Sequence, residues 1–457
     1  MIQPQKTKSS NTPPYLPGHP VFGTALDFRR DPLGMMEAAR KAHGDFVRTR
    51  FAQFRIYLLF SPEHVLHLLQ KNPTAYKKDG YLHIEPLTGR GLLTSEGEFW
   101  RRQRRFAQPA FHRHRLQRMA GTMTAATGEM LDRWERHLAQ RPSEPLEISA
   151  EMSRLTLGIV SRTLFSTDVS GEAEGVGKAL EFALQDGFSR VGRFVALPFG
   201  VPTPANRRHL AAIRTLDRIV YGLIDGRLRS GEKKDDLLGM LLEARDEEAG
   251  EGMGRKQLRD EVMTILSAGY ETTARALTWT FYLMDKNPEA AERLREELEN
   301  VLGSRAPTYE DLPRLEYTGR FIQESMRLYP PVWGLARLAR EDDEIGGCHI
   351  PKASRLIISA YITHRHPELW ESPEIFDPER FTPERSEGRP KYAYFPFGGG
   401  PRRCIGVNFA TMEAALVVAM VARRFGLSLV PGHRVETEPS FTLRPRYGMP
   451  MLPGDVS

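Results

Sequence analysis

Phe397-Gly398-Gly399-Gly400-Pro401-Arg402-Arg403-Cys404-Ile405-Gly406 is the stretch on which the reading of this 457-residue chain turns. One cysteine stands among four glycines and a proline, with two arginines just before it. An apolar run, Ala414 to Ala422, follows and predicts a buried helix that starts near the cysteine. A sulfur close to a helix N-terminus and to cationic side chains is biased toward thiolate. Gly400 and Gly406 remove side chains where a flat, bulky ligand could approach the backbone. A glycine-rich turn with a purely structural cysteine is the plain alternative. The functional reading is a thiolate suited to haem iron, where it pushes electron density toward bound oxygen.

The spacing Phe397-x-x-Gly400-x-Arg402-x-Cys404-x-Gly406 resembles the haem-binding signature of the cytochrome P450 family. Four positions fixed around one cysteine make that pattern specific. Arg402 stands where many soluble bacterial members carry histidine, so the signature is closer to the fatty-acid-hydroxylase-like and microsomal branch.

Composition sets the outer bounds. Hydrophobic residues make up 40% of the chain, enough for a substantial core. The longest apolar run is too short for a transmembrane helix, and Met1 to Ser10 are polar, so neither a membrane anchor nor a signal peptide is expected. Two cysteines, Cys348 and Cys404, suit a reducing compartment and a cytoplasmic location. A disulfide between them would remove the iron ligand, which leaves Cys348 as an inert turn residue. A net charge of +6 allows an acidic protein or a nucleic acid as partner, and the distribution of charge has to decide.

Along the chain, residues 11–23 are proline-rich and read as an extended lead-in. Phe46 to Phe51 and Ile56 to Phe60 predict a hairpin, followed by a helix capped by Ser61 with Pro62 in its first turn. Helical periodicity dominates from about residue 115 to 345; short strands and turns follow Pro331. No fixed-period repeat is present, and residues 1–457 read as a single domain with 1–23 as its lead-in.

From Trp100 to Arg118 there are seven arginines and no acid. A solvated helix face and a nucleic-acid patch are both available readings, but no nucleic-acid-binding motif accompanies the charge. Trp100 and Arg104 lie one helical turn apart on one face. The family resemblance implies that this pair contacts a haem propionate, and that the remaining arginines face an acidic electron-donor protein.

Arg255 to Lys286 predicts one long helix stopped by Asn287-Pro288. Its middle, Ala268-Gly269-Tyr270-Glu271-Thr272-Thr273, is costly for a helix core. The hexapeptide is similar to the family's central-helix motif. That implies a groove over the iron at Ala268 and Gly269, with Thr272 and Glu271 handling protons for dioxygen activation.

Glu324 and Arg327, three residues apart, form a pair that is usually of little worth on a helix surface. With Arg380 of Pro378-Glu379-Arg380-Phe381 they resemble the family's buried charge triad, a clamp on the proximal loop. Arg337 and Arg402 match further propionate-binding positions. His364 and His366 read as packing histidines rather than iron ligands.

The resemblance implies a mainly α fold, a triangular helical prism with small β-sheets, and haem b between the long central helix and the cysteine loop. It implies a monooxygenase taking dioxygen, with electrons from a separate ferredoxin or flavodoxin and its reductase, and neither a nucleic acid nor a transmembrane anchor. The substrate segments by analogy are 80–95, 183–202, 332–336 and 440–443. They hold Tyr81, Leu92, Phe188, Phe194, Trp333, Leu335 and Phe441, so an apolar small molecule is expected. A fatty acid leads, followed by a terpenoid, carotenoid or macrolide. A haem-based gas sensor is the non-enzymatic alternative; it would have little use for Glu271 and Thr272.

Overall fold

The computed structural model describes residues 12–168, 173–190, 197–245, 250 and 252–454; Phe194 and the start of the lead-in lie outside this set. The chain is predominantly helical with small sheets, as expected. It divides into two compact units: Met1–Gly80, Trp333–Pro373 and Arg389–Arg403 form the first, and Tyr81–Val332, Glu374–Gly388 and Cys404–Ser457 the second. Among the described residues, no helix is long and apolar enough to cross a membrane.

The first unit is built on a five-stranded sheet made of β1 (Phe46–Phe51), β2 (Phe54–Leu59), β3 (Tyr76–Lys78), β4 (Leu335–Ala339) and β5 (Arg355–Ile358). Its order is β1-β2-β5-β4-β3, and only the β2–β5 pair is parallel. The predicted hairpin is β1–β2. Ile56 to Leu59 of β2 are all buried, as a strand covered on both faces requires. Leu59, Val65, Leu69, Leu356, Ile358 and Tyr392 share one apolar cluster. The Ser61 hydroxyl accepts from the His64 amide and caps the helix Pro62–Leu66. Cys348 differs from expectation: it opens a short strand, Cys348–Ile350, rather than a turn, and burial pushes its thiol pKa up. Ile345-Gly346-Gly347-Cys348 is a tight hairpin in which the two glycines take the positive φ angles and free the cysteine to pair.

The cysteine loop's first half, Arg389–Arg403, belongs to this unit. Gly400 has φ +60°, and a Cβ there would fall 1.7 Å from the Leu69 carbonyl oxygen. The Gly400 amide donates to the Tyr392 hydroxyl, which is 3.0 Å from Gln70 Oε1. Glycine at 400 is thus demanded by the loop's own seat, beside any role in clearing a ligand.

The second unit holds helices α1 (Gly97–Ala107), α2 (Ile148–Phe165), α3 (Arg255–Lys286), α4 (Glu316–Leu328) and α5 (Val407–Arg424). At 32 residues, α3 runs for about 48 Å. It ends where predicted, and Pro288 then serves as the first residue of the helix Pro288–Leu302. The hydroxyls that look costly inside α3 are satisfied locally: Thr272, Thr278 and Thr280 donate to the carbonyls of Ala268, Ala274 and Ala276. Helix α2 packs on α3, and Thr156 Oγ1 donates to the Tyr270 carbonyl at 2.9 Å. A Cβ on Gly269 would come within 3.0 Å of Val160 Cγ2, so this glycine also serves the α2–α3 crossing. A hairpin of β6 (Thr437–Pro439) and β7 (Leu443–Pro445) is tied to α3 by Trp279 Nε1, which donates to the Leu443 carbonyl.

Candidate active site

The predicted site residues fall into two sets. Trp333, Leu335, Arg337, Phe397 and Arg402 belong to the first unit. Leu92, Trp100, Arg104, Ala268, Gly269, Glu271, Thr272, Glu324, Arg327, Arg380, Cys404, Gly406 and Phe441 belong to the second.

In the second unit, Cys404 is an exposed cysteine three residues ahead of α5. A Cβ on Gly406 would stand 4.0 Å from its sulfur, in ordinary van der Waals contact. Arg104 lies on α1 with its guanidinium 5.7 Å from the Trp100 ring centroid. Burial lowers the Arg104 pKa, and the charge of the neighbouring Cys404 pulls it back up. Cation and sulfur are therefore neighbours although 300 residues separate them in sequence.

Helix α3 is buried from Leu258 to Phe281 except at three positions, Ala268, Gly269 and Thr272. Their i, i+1, i+4 spacing puts them on one face, so an otherwise enclosed helix offers a single accessible strip. An accessible sulfur donor flanked by glycine and arginine, together with this strip of small residues, suits a flat iron macrocycle. The donor set fits haem.

Glu271, the residue before Thr272, is 1% exposed. Burial pushes its carboxyl pKa up, while Arg275 and the Thr442 hydroxyl draw it down. Its Oε1 is 2.7 Å from Thr442 Oγ1, and its Oε2 has no hydrogen-bond partner among the described residues.

Glu324, Arg327 and Arg380 come together as one network. Arg327 grips Glu324 through Nε at 2.7 Å and Nη2 at 2.8 Å, and Arg380 Nε is 3.4 Å from Glu324 Oε1. The Asp377 amide donates to the same carboxylate, and both arginines donate to the Ile375 carbonyl. This fork ties α4 to the segment preceding the cysteine loop.

In the first unit, Arg337 is buried on β4 and donates to the Ala336 carbonyl, while Phe397 and Arg402 are half-buried. Trp333 is buried and rests on Phe28, with 6.3 Å between ring centroids. His364 Nε2 accepts from the Phe395 amide and His366 pairs with Asp45, so both serve packing. In the second unit, Leu92 is buried and Phe441 half-buried.

The arginine stretch divides its labour further than expected. Arg101 pairs with Glu98, and Arg115 and Arg118 both bond Asp235. Arg105 and Arg113 are exposed.

Sequence reasoning missed Glu413 on α5 and the partners of Glu271. Glu413 is fully buried; burial pushes its carboxyl pKa far up, and only the Thr273 hydroxyl opposes this. An acid inside the apolar run Met412-Glu413-Ala414-Ala415-Leu416 was the available signal. Thr442 carried none.

A family model for cytochrome P450 matches residues 13–453. The chain is 38% identical over 430 residues to cyclooctatin synthase of Streptomyces melanosporofaciens, covering 93% of this chain and 92% of that protein. It is 35% identical over 432 residues to pentalenene oxygenase of Streptomyces avermitilis, covering 93% and 92%. Among solved structures, retinoic acid-bound cyanobacterial CYP120A1 matches with a TM-score of 0.87 at 27% identity, covering 98% of this chain and all of that one. With the family match spanning nearly its whole length, this chain belongs to the cytochrome P450 family and is a haem-dependent monooxygenase.

Proposed function

We propose that the protein is a haem b monooxygenase that hydroxylates a terpenoid in the cytoplasm, with electrons from a separate ferredoxin or flavodoxin and its reductase. The substrate class is supported by relatives that oxidise terpenoids, cyclooctatin synthase and pentalenene oxygenase, and this moves the terpenoid ahead of the fatty acid. The family match runs through both compact units, which supports residues 1–457 acting as one domain.

The observation that carries the haem assignment is the exposed Cys404 thiol with Arg104 beside it. Cys404 would ligate the iron, with Phe397 and Gly406 flanking it, and Trp100, Arg104, Arg337 and Arg402 would hold the propionates. When bound, the haem supplies the iron on which dioxygen is activated for insertion of one oxygen atom into a C–H bond. Ala268 and Gly269 would leave room for a small ligand beside α3. Thr272 would present its hydroxyl to the oxygen-binding face, and Glu271 would pass protons inward. Glu324, Arg327 and Arg380 would hold the loop approaching Cys404 in one arrangement. Leu92, Trp333, Leu335 and Phe441 would line an apolar substrate site. Arg105 and Arg113 are the exposed cations best suited to an acidic donor protein.

Titration of the ferric protein with terpenoids, fatty acids, carotenoids and macrolides tests the substrate. A low-spin to high-spin shift with terpenoid hydrocarbons or their alcohols is expected; a shift confined to fatty acids overturns the choice. Cys404→Ser should abolish the thiolate-type spectrum of the reduced carbon monoxide complex, and an unchanged spectrum would remove Cys404 as ligand.

A further inference from the structure

Glu271 is enclosed by groups from three other elements. The turn of the β6–β7 hairpin supplies Thr442, whose hydroxyl is 2.7 Å from Oε1. Both backbone groups of the next residue are tied: the Leu443 carbonyl accepts from Trp279 Nε1 and its amide donates to the Pro331 carbonyl, each at 2.9 Å. Thr442 is therefore held rigidly, and Glu271 is positioned through it.

The carboxyl also interacts electrostatically with a charged chain leading outward. Arg275, 4% exposed, donates to Ser149 Oγ and, at 3.3 Å, to Glu181 Oε1 on the helix Ala173–Ser189. Arg444 of β7 donates to the same Glu181 oxygen at 3.1 Å and pairs with Glu438 of β6 at 2.6 Å. The Glu181 side chain is 40% exposed and Glu438 33%, so the chain begins in solvent.

Around Glu271, three buried polar atoms lack partners among the described residues: Glu271 Oε2, the Tyr270 hydroxyl and Arg275 Nε. Tyr270, Glu271, Arg275 and Glu181 all interact electrostatically with one another, so these atoms share one neighbourhood. An unpaired buried polar atom is costly, and three together mark a natural seat for internal water.

We propose that Glu181 is the surface carboxylate from which Glu271 is reprotonated across this polar gap, and that Thr442 is the residue that positions Glu271 for the transfer. The inference rests on the reading of Glu271 as a proton donor to the site. A proton leaves Glu271 toward the oxygen-binding face and is replaced from Glu181, which exchanges with solvent. Arg275 and Arg444 keep Glu181 in place and move no proton themselves. The Thr442 hydroxyl occupies Oε1, which leaves Oε2 as the transferring atom.

Three variants of the haem-loaded protein test this. Glu271→Gln should remove one carboxyl band from the infrared difference spectrum, slow turnover about 10²-fold and raise the solvent deuterium isotope effect. Thr442→Val should shift that band and raise the isotope effect with haem content unchanged; Thr442→Ser should restore both. Glu181→Gln, at a half-exposed position, should slow turnover about tenfold and raise the isotope effect without moving the band. If Glu271→Gln slows turnover while Thr442→Val and Glu181→Gln leave band and isotope effect at parent values, the inference falls and the reading of Glu271 stands. If Glu271→Gln itself leaves rate and isotope effect unchanged, the reading falls with it.

Discussion

Glu324 and Glu271 are both shut away from solvent in the same unit, and they are held in opposite ways. Glu324 has a two-pronged arginine, a backbone amide and a second arginine on its two oxygens. Burial pushes its pKa up, and those groups pull it back. Glu271 has one hydroxyl on one oxygen and, among the described residues, no hydrogen-bond partner on the other. Full satisfaction locks a geometry; partial satisfaction leaves a carboxyl able to exchange its proton. The first arrangement suits a scaffold and the second suits chemistry.

Breaking the scaffold should have the largest effect. Arg327→Ala leaves Glu324 buried without its main partner, at a cost of about 3–5 kcal/mol. Thermal denaturation and haem retention should both show severe loss. The contrast would collapse if Arg327→Ala were as stable as the parent.

Glu271→Gln should do the reverse. The fold and haem content should survive, because the amide keeps a partner in Thr442, while turnover drops about 10²-fold. Its pKa is raised on folding, so its stabilising contribution is complete below the ordinary glutamate range and drains as pH rises. The amide escapes that loss, and its melting temperature should match or exceed the parent's near neutrality.

Thr272→Ala should be milder. Among the described residues Thr272 bonds only its own helix, through Ala268, so stability should change by about 1 kcal/mol or less. Reducing equivalents should be diverted to hydrogen peroxide, measured as a falling ratio of product to NAD(P)H consumed; a fully coupled mutant would remove Thr272 from proton delivery.

The smallest effect belongs to a third buried acid. Glu413 has its pKa pushed far above the ordinary range, so folding favours its neutral form and this contribution is lost as pH rises. Glu413→Gln should match the parent in acid and melt ~1–3 °C higher in alkali. Equal melting curves at every pH would mean that the carboxyl stays protonated throughout, or that its surroundings relax.

How much of this was legible in the chain depends on the range over which each signal acts. Cys404 with its glycines, the span of α3, and the shared face of Trp100 and Arg104 are local facts. Chain geometry repeats every few residues, so spacing alone predicts which side chains share a turn or a face. Ala268, Gly269 and Thr272 could be placed on one strip for the same reason. Capping at Ser61 and the stop at Lys286 follow from single residues whose side chains or rings act on the adjacent backbone.

The tertiary structure alone decided the partners. Thr442 reaches Glu271 across 171 residues, and Arg104 neighbours Cys404 across 300. Gly400 answers to a carbonyl at Leu69 that no motif around the cysteine mentions. A buried charge takes whatever donor the packed chain brings to it, and that choice is made by long-range contacts which leave no periodic trace in sequence. The sequence by itself thus determined which residues could ligate iron and carry protons. Packing determined which acid was clamped and which kept an oxygen without a hydrogen-bond partner among the described residues.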